Sequence, residues 1–164
     1  MTFKHTTTQV LTQRFRDVMA QIPAAVAVVT TDAGDGPHGT TVSSFMSLSI
    51  DPPTMLISLD NDSSLLAKLQ RGVTVGVNAL TVDQGVLASR FAGQRKDDAP
   101  VEWEHSDGTP PRLAAAHAWL ALTVTELIVV GDHTLVIGAV DAAHATADAP
   151  LIYWQRTYGT HTAT

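Results

Sequence analysis

The chain has 164 residues, 45% of them hydrophobic and 16% charged, a formal net charge of -6 and no cysteine. Such a length fits one domain with a sizeable core, and the composition excludes a disordered chain, disulfides and thiol chemistry. Ten Lys+Arg against sixteen Asp+Glu, with no basic cluster, argue against nucleic acid as a partner.

At the N-terminus, MTFKHTTTQV lacks the apolar core of a signal peptide. No apolar run approaches the roughly 20 residues a membrane helix needs, so cytoplasmic residence is the expectation. Leu11, Phe15, Val18, Met19 and Ile22 then follow helical spacing, and Pro23 ends that helix. A β-rich run covers Ala24 to Thr31, and the Asp-, Gly- and Pro-dense stretch from Asp32 to Pro37 is a turn. From Val42 to Ile50 the even positions Val42, Met46, Leu48 and Ile50 are apolar, and the odd positions Ser43, Ser47 and Ser49 are hydroxyls. Period 2 puts these sets on opposite faces of a strand, with a bend or bulge at Ser44 and Phe45 where the alternation breaks. Asp51-Pro52-Pro53 turns the chain into a strand from Thr54 to Leu59.

N-cap candidates from Asp60 to Ser64 precede Leu65, Leu66 and Leu69, and Gly72 stops the short helix they predict. A strand from Val73 to Ala79 follows, then a second short helix over Asp83 to Phe91. Gly93 to Pro111 reads as a polar loop anchored by Trp103. Strands are expected over Trp119 to Leu127 and Thr134 to Val140, with a turn between them, and a short aromatic tail over Leu151 to Tyr158. Six or seven strands with few helices and no regular βαβ alternation favour a mainly β fold, a small closed β-barrel with peripheral helices, over a doubly wound sheet.

Several motifs have a plain structural reading beside a functional one. Gly34, Gly36 and Gly39 spell the dinucleotide fingerprint, but Pro37 lies inside it and the continuation TTVSS is strand-like, so no helix follows to receive a pyrophosphate. A hairpin turn is the reading. The hydroxyls of Thr40, Thr41, Ser43, Ser44, Ser47 and Ser49 are either the solvated face of an edge strand or a wall of donors for a ligand with a polar rim. Asp132-His133 is either an exposed turn or a functional pair, and Asn78 in an apolar strand is either a structural hydrogen-bonding group or a ligand contact. No G-x-S-x-G elbow supports a Ser-His-Asp hydrolase, and the seven histidines form no metal spacing, so no metal site is expected. Trp103, Trp119 and Trp154 read as packing residues, with Trp154 a candidate for a subunit interface.

Taken in order, FRDVMAQIPAAVAVVTT (15–31), HGTTVSSFMSLSIDPP (38–53), VGVNAL (75–80), SRFAG (89–93), AWLALTV (118–124), GDHTLVIGAV (131–140) and PLIYW (150–154) resemble the short-chain flavin reductases with an FMN-binding split barrel. These are reductase components of two-component flavin monooxygenases. The landmarks span nearly the whole chain, and T-x-S-S-F-x-S-x-S-x-x-P-P with a downstream G-D-H-T is the specific combination. The resemblance implies one flavin reductase-like domain over residues 1–164, with its core over about 11–159. It implies flavin contacts from Thr41, Val42, Ser43, Ser44, Phe45, Ser47 and Leu48, then Ser58, Leu59 and Asp60, then Ser64 and Leu65. Phe91 and Ala92 would approach the flavin phosphate, and His133 would hold the nicotinamide rather than act as a base. Homodimers with the flavin near the subunit interface are also implied. Where some relatives carry Lys or Arg, this chain has Asp60, Asn61 and Asp62, with Arg90 or Lys96 as the compensating candidates.

The expected reaction is NAD(P)H:flavin oxidoreduction: hydride transfer to FMN or FAD from NADH or NADPH, with reduced flavin supplied to a partner monooxygenase. The cofactors carry that chemistry, and no protein acid or base is required. The choice between FMN and FAD, and between NADH and NADPH, stays open. The competing readings are a flavin carrier or sensor without turnover on the same barrel, an oxidase of the pyridoxamine-phosphate type, for which the chain is poor in Lys and Arg, and an interaction domain that binds no flavin.

Overall fold

The computed structural model describes residues 2–96, 99–104 and 108–162, with side chains from residue 8 onward. Helix α1 (Thr2–Met19) leads into β1 (Ala24–Ala25), β2 (Ala27–Asp32), β3 (Pro37–Val42), β4 (Phe45–Ile50) and β5 (Pro53–Asp60). After a 3₁₀ turn at Leu66–Lys68 come β6 (Thr74–Ala79), a 3₁₀ turn at Val82–Gln84 and helix α2 (Gly85–Phe91). The short strands β7 (Trp103–Glu104) and β8 (Arg112–Leu113) precede two long ones, β9 (Ala118–Val130) and β10 (His133–Ala145), and the hairpin of β11 (Ile152–Trp154) and β12 (Thr157–Gly159) follows them.

Seven strands form one antiparallel sheet in the order β3-β2-β6-β9-β10-β5-β4. Alternation along β2 shows how the core is divided. Ala27 and Val29 join an inner cluster with Ile57, Val77, Leu122 and Val136. Val26, just before β2, and Val28 join a second cluster with Leu80, Ala88, Leu113 and Leu151, under α2 and the small sheet β1-β11-β12. Successive side chains of a strand point to opposite faces, so β2 is covered on both and reads as an unbroken apolar run.

The closed barrel expected from the sequence is not formed: no ladder joins β3 to β4. Seven strands alternating in direction leave the two edges parallel to each other. Parallel neighbours need a crossover of a dozen or more residues, and only Ser43 and Ser44 separate β3 from β4. The two edges therefore run on from one another through this two-residue break, one residue ahead of the bend expected at Ser44 and Phe45.

Of the apolar even positions on β4, Met46, Leu48 and Ile50 are exposed, Ile50 by 82%. Strand β4 is an edge, and a bulge between Ser47 and Ser49 shifts its register. Two further expectations are corrected. The helix expected at Leu65–Leu69 is a single 3₁₀ turn. The turn expected from Ile128 shrinks to Gly131 and Asp132, because β9 continues to Val130, which pairs with His133. Gly131 has φ +62°, the conformation a two-residue hairpin loop requires at its first position. Of the polar loop at 93–111, residues 97, 98 and 105–107 lie outside the described residues; Trp103 anchors the rest edge-on against Phe91 at 6.1 Å.

The glycine-rich stretch is the hairpin β2–β3, with Gly34 and Gly36 at φ +91° and +105° and the Gly34 N–H bonded to the Asp32 carboxylate at 2.7 Å. Asn78 has the structural role. Its amide donates to the Val28 carbonyl and the Thr30 hydroxyl, each at 3.1 Å, and its oxygen accepts the Leu113 N–H at 2.7 Å.

Candidate active site

Ladder pairing assembles one end of the sheet. His133 on β10 lies opposite Asp60 on β5, and Leu135 lies opposite Ser58. The Ser58 N–H donates to the Ser44 carbonyl at 2.8 Å. Directly paired residues share a face of a sheet, so His133 and Asp60 stand together, and Ser58 lies between Leu135 and the β3–β4 break. Residues distant in sequence meet here through backbone register alone.

The break itself is open to a ligand. The main-chain N–H groups of Ser43 and Ser44 make no hydrogen bond among the described residues, nor do the side chains of Ser43, Ser44, Ser47, Ser58 and Ser64. Thr41 differs: its hydroxyl donates to the Ala88 carbonyl at 2.7 Å and ties β3 to α2. The hydroxyl run therefore divides into a structural threonine and free serines. Val42, Leu59 and Leu65 are buried in the inner cluster, so they can offer a ligand only main-chain atoms. Phe45 is half-buried against the same cluster, Leu48 is exposed, and Phe91 packs into the second cluster.

A cavity of about 150 Å³ lies under the break, lined by Thr41, Val42, Ser43 and Ala92 with Gln94, Tyr153 and Tyr158. It joins the two segments expected at the ring and phosphate ends of a flavin. Ala92 is the C-terminal cap of α2, a helix end of negative polarity that does not favour a phosphate by itself. Arg90 is engaged with the Ala99 carbonyl, and Lys96 is exposed.

At the hairpin tip, the His133 ring lies 2.8 Å through Nδ1 from the Asp132 carboxylate. An ionised carboxylate only accepts, so Nδ1 carries the proton. That hydrogen bond, aided by the Asp132 main-chain N–H and more weakly by the charges of His133 and Arg16, holds the Asp132 carboxyl below its ordinary value of 3.8. Asn61 fixes the tip to the loop after β5. Its N–H donates to the Asp132 carbonyl at 3.0 Å, its side-chain amide to Gly131 at 3.2 Å, and its oxygen accepts the Thr134 hydroxyl at 2.8 Å. With Asp60 bonded to the Asp62 N–H at 2.8 Å, this acidic turn is a structural brace for His133.

Residues 19–162 match the family model of the flavin reductase like domain. The chain belongs to this family. It is 38% identical over 152 residues to an NADH:FMN oxidoreductase of Rhodococcus qingshengii, covering 88% of this chain and 79% of the relative. A flavin reductase (NADPH) of Lentzea aerocolonigenes is 38% identical over 151 residues, covering 90% and 88%. Among solved structures, the flavin reductase PheA2 superposes with a TM-score of 0.87 at 33% identity, covering 92% of this chain and 98% of that one. The styrene monooxygenase flavin reductase of Pseudomonas putida S12 gives 0.82 at 32%, covering 91% and 97%.

As in any flavin reductase, redox chemistry belongs to the ligands, and the protein's part is geometry and electrostatics. The free N–H groups of Ser43 and Ser44 can donate to, and so stabilise, negative charge developing on a bound ring, in the manner of an oxyanion hole. Sequence reasoning missed Gln94 and Tyr158 in the cavity wall and Arg16 near the hairpin tip. Tyr158 belongs to a tail recognised as aromatic, but nothing in its local pattern shows that it folds back beneath β3.

Proposed function

We propose that this chain is an NAD(P)H-dependent flavin reductase that binds FMN or FAD at the Ser43–Phe45 break. It takes hydride from NADH or NADPH at a nicotinamide held by His133, and it delivers reduced flavin to a monooxygenase component. The observation that carries this reading is the register that sets His133 opposite Asp60, two residue pairs from Ser58 and its bond to Ser44. Flavin and nicotinamide, when bound, supply the hydride acceptor and donor.

The hydroxyls of Ser43, Ser44 and Ser47 and the free amides of Ser43 and Ser44 hold the polar rim of the flavin, joined by Ser58, Asp60 and Ser64. Val42, Leu59 and Leu65 contribute main-chain contacts, Phe45 and Leu48 apolar ones, and Thr41 shapes the wall. Phe91 and Ala92 sit at the phosphate end. His133, with Nδ1 fixed by Asp132, presents Nε2 to the nicotinamide. A homodimer, with the outer face of β4, β5, β10 and β9 covered by a second copy, would place this site at a subunit interface. Cytoplasmic residence fits a reaction drawing on NAD(P)H, and no described helix is long and apolar enough to cross a membrane.

Anaerobic stopped-flow absorbance tests the reading. Protein added to flavin and NADH or NADPH must accelerate bleaching of the oxidised-flavin band. An unchanged rate with both flavins and both nicotinamides refutes it, and flavin binding without bleaching assigns a carrier instead. His133→Ala should raise the KM for the nicotinamide about tenfold, the cost of a lost hydrogen bond of about 1.4 kcal/mol.

A further inference from the structure

A second, larger cleft of about 460 Å³ lies between α1 and the β11–β12 turn, and Ser43 and Ser44 form one of its walls. Its other walls carry two guanidinium groups, Arg16 and Arg156, and the aromatic rings of Phe15, Tyr153 and Trp154. In an acidic chain with ten Lys+Arg in all, two arginines in one cleft beside the flavin break are a concentrated positive feature.

The cleft is held in shape. The Trp154 indole N–H donates to the Gln21 carbonyl at 3.0 Å, the Gln155 amide to Gln21 Oε1 at 3.0 Å, and Arg156 to Asp17 at 2.8 Å. Gln155 and Arg156 form the two-residue loop of the hairpin with φ +50° and +62°, left-handed values that favour Asn or Gly. Strained backbone of this kind persists where surroundings over-determine it and concentrates at ligand-binding positions. Arg156 is shared with Asp17, whereas Arg16 makes no ion pair among the described residues, so the cleft keeps one uncompensated positive charge from these three groups. Arg16 also lies close enough to the hairpin tip for its charge to act on Asp132.

Resting on the reductase reading, we propose that this cleft binds the adenosine diphosphate part of a dinucleotide, with Arg16 and Arg156 on the phosphates and the ring of Trp154 on the adenine. A planar base against aromatic rings and a diphosphate against guanidinium forks are the complementary chemistry. FAD and NAD(P)H both carry this group, whereas FMN and reduced nicotinamide mononucleotide lack it. The cleft therefore acts as the specificity element for dinucleotides over mononucleotides.

Titration calorimetry with ADP, on wild-type protein and Arg16→Ala, tests the assignment directly. Wild type should bind ADP, and the variant should bind it about tenfold more weakly, the effect of one charged hydrogen bond; Arg16→Lys should recover part of the loss. Wild type that does not bind ADP, or a variant that binds it equally well, overturns the proposal. Paired ligands then identify the source. A loss by Arg16→Ala about tenfold greater for FAD than for FMN assigns the group to the flavin. A rise in KM about tenfold greater for NADH than for reduced nicotinamide mononucleotide assigns it to the nicotinamide. Equal changes within both pairs overturn the proposal. Wild-type turnover of FMN with reduced nicotinamide mononucleotide reports on the reductase reading separately, and matching circular dichroism of the variants confirms that they fold.

Discussion

Asn78 and Asp132 are both polar side chains with defined hydrogen bonds, yet their energetics differ because one is buried and the other exposed. Asn78 is fully buried and joins β2 to the segment before β9 through three hydrogen bonds. Replacing it with Ala strands the Leu113 N–H without a partner, and a buried unpaired amide costs about 1–3 kcal/mol beyond the lost bonds. Asn78→Ala should therefore lower stability by about 2–4 kcal/mol, read in urea as a lower midpoint at unchanged slope. Asp132 lies at an exposed tip, so its value is orientation. Its carboxyl is held below the ordinary 3.8 by the His133 hydrogen bond. A depressed carboxyl contributes fully above its unfolded value and loses that contribution as pH falls through the lower folded value. The brace on His133 should thus be intact throughout the range above about pH 4 and fail only in acid below it. Carbon-detected NMR of Asp132 should give a midpoint under 3.8, shifting upward in His133→Ala; a midpoint that ignores the His133 substitution would remove the brace.

At the scale of elements, the β11–β12 hairpin sets stability against binding. Its loop residues Gln155 and Arg156 occupy the left-handed region, at a cost of about 1–2 kcal/mol per residue for side chains other than Gly and Asn. The double change Gln155→Asn with Arg156→Gly should stabilise the protein by about 1–2 kcal/mol in thermal or urea unfolding, because the Arg156–Asp17 pair it sacrifices is exposed and worth little. A destabilised double variant would mean that Gln155 and its bond to Gln21 hold more than the loop. The same hairpin marks where sequence was readable and where it was not. Period and turn chemistry located β2, the β2–β3 turn, α2 and β6, and the bend between β3 and β4 to within one residue, because each is set by residues within a few positions. The rejection of the glycine fingerprint rested on Pro37 and the β-branched continuation, and the hairpin is what those residues form. Strand pairing carries no such local mark. That His133 stands opposite Asp60, or that Tyr158 and Arg16 flank the serine break, depends on contacts across most of the chain. Likewise the alternation of β4 gave its two faces but not which one the fold would leave uncovered.

For the whole molecule, the decisive fact is an uncovered apolar face. On the outer side of the sheet, Met46 pairs with Leu56 and Leu56 with Ile137, while Ile128 pairs with Leu135. Leu56, Leu135 and Ile137 are half-buried, and Met46, Ile128 and Val130, which pairs with His133, are exposed, Met46 by 57%. Contiguous apolar surface of this kind on an ordered sheet, together with an unpaired edge strand, marks an association surface, since a free edge invites aggregation. A symmetric pair of chains would cover it with one self-complementary patch, the commonest form of oligomer. The face ends at Ser58, His133 and Asp60, so pairing through it would also roof the proposed flavin site. Light scattering should therefore give twice the mass of the chain. Met46→Glu with Ile128→Glu, both at exposed positions on this face and so harmless to the core, should give a single-chain mass with an unchanged fold by circular dichroism. If the site is completed by the second copy, the same variant should weaken FMN binding about tenfold or more, in proportion to the contacts the partner supplies. A monomeric wild type would refute the pairing outright. A monomeric variant that binds FMN as tightly as wild type would keep the dimer but place the flavin wholly within one chain, on the serine break alone.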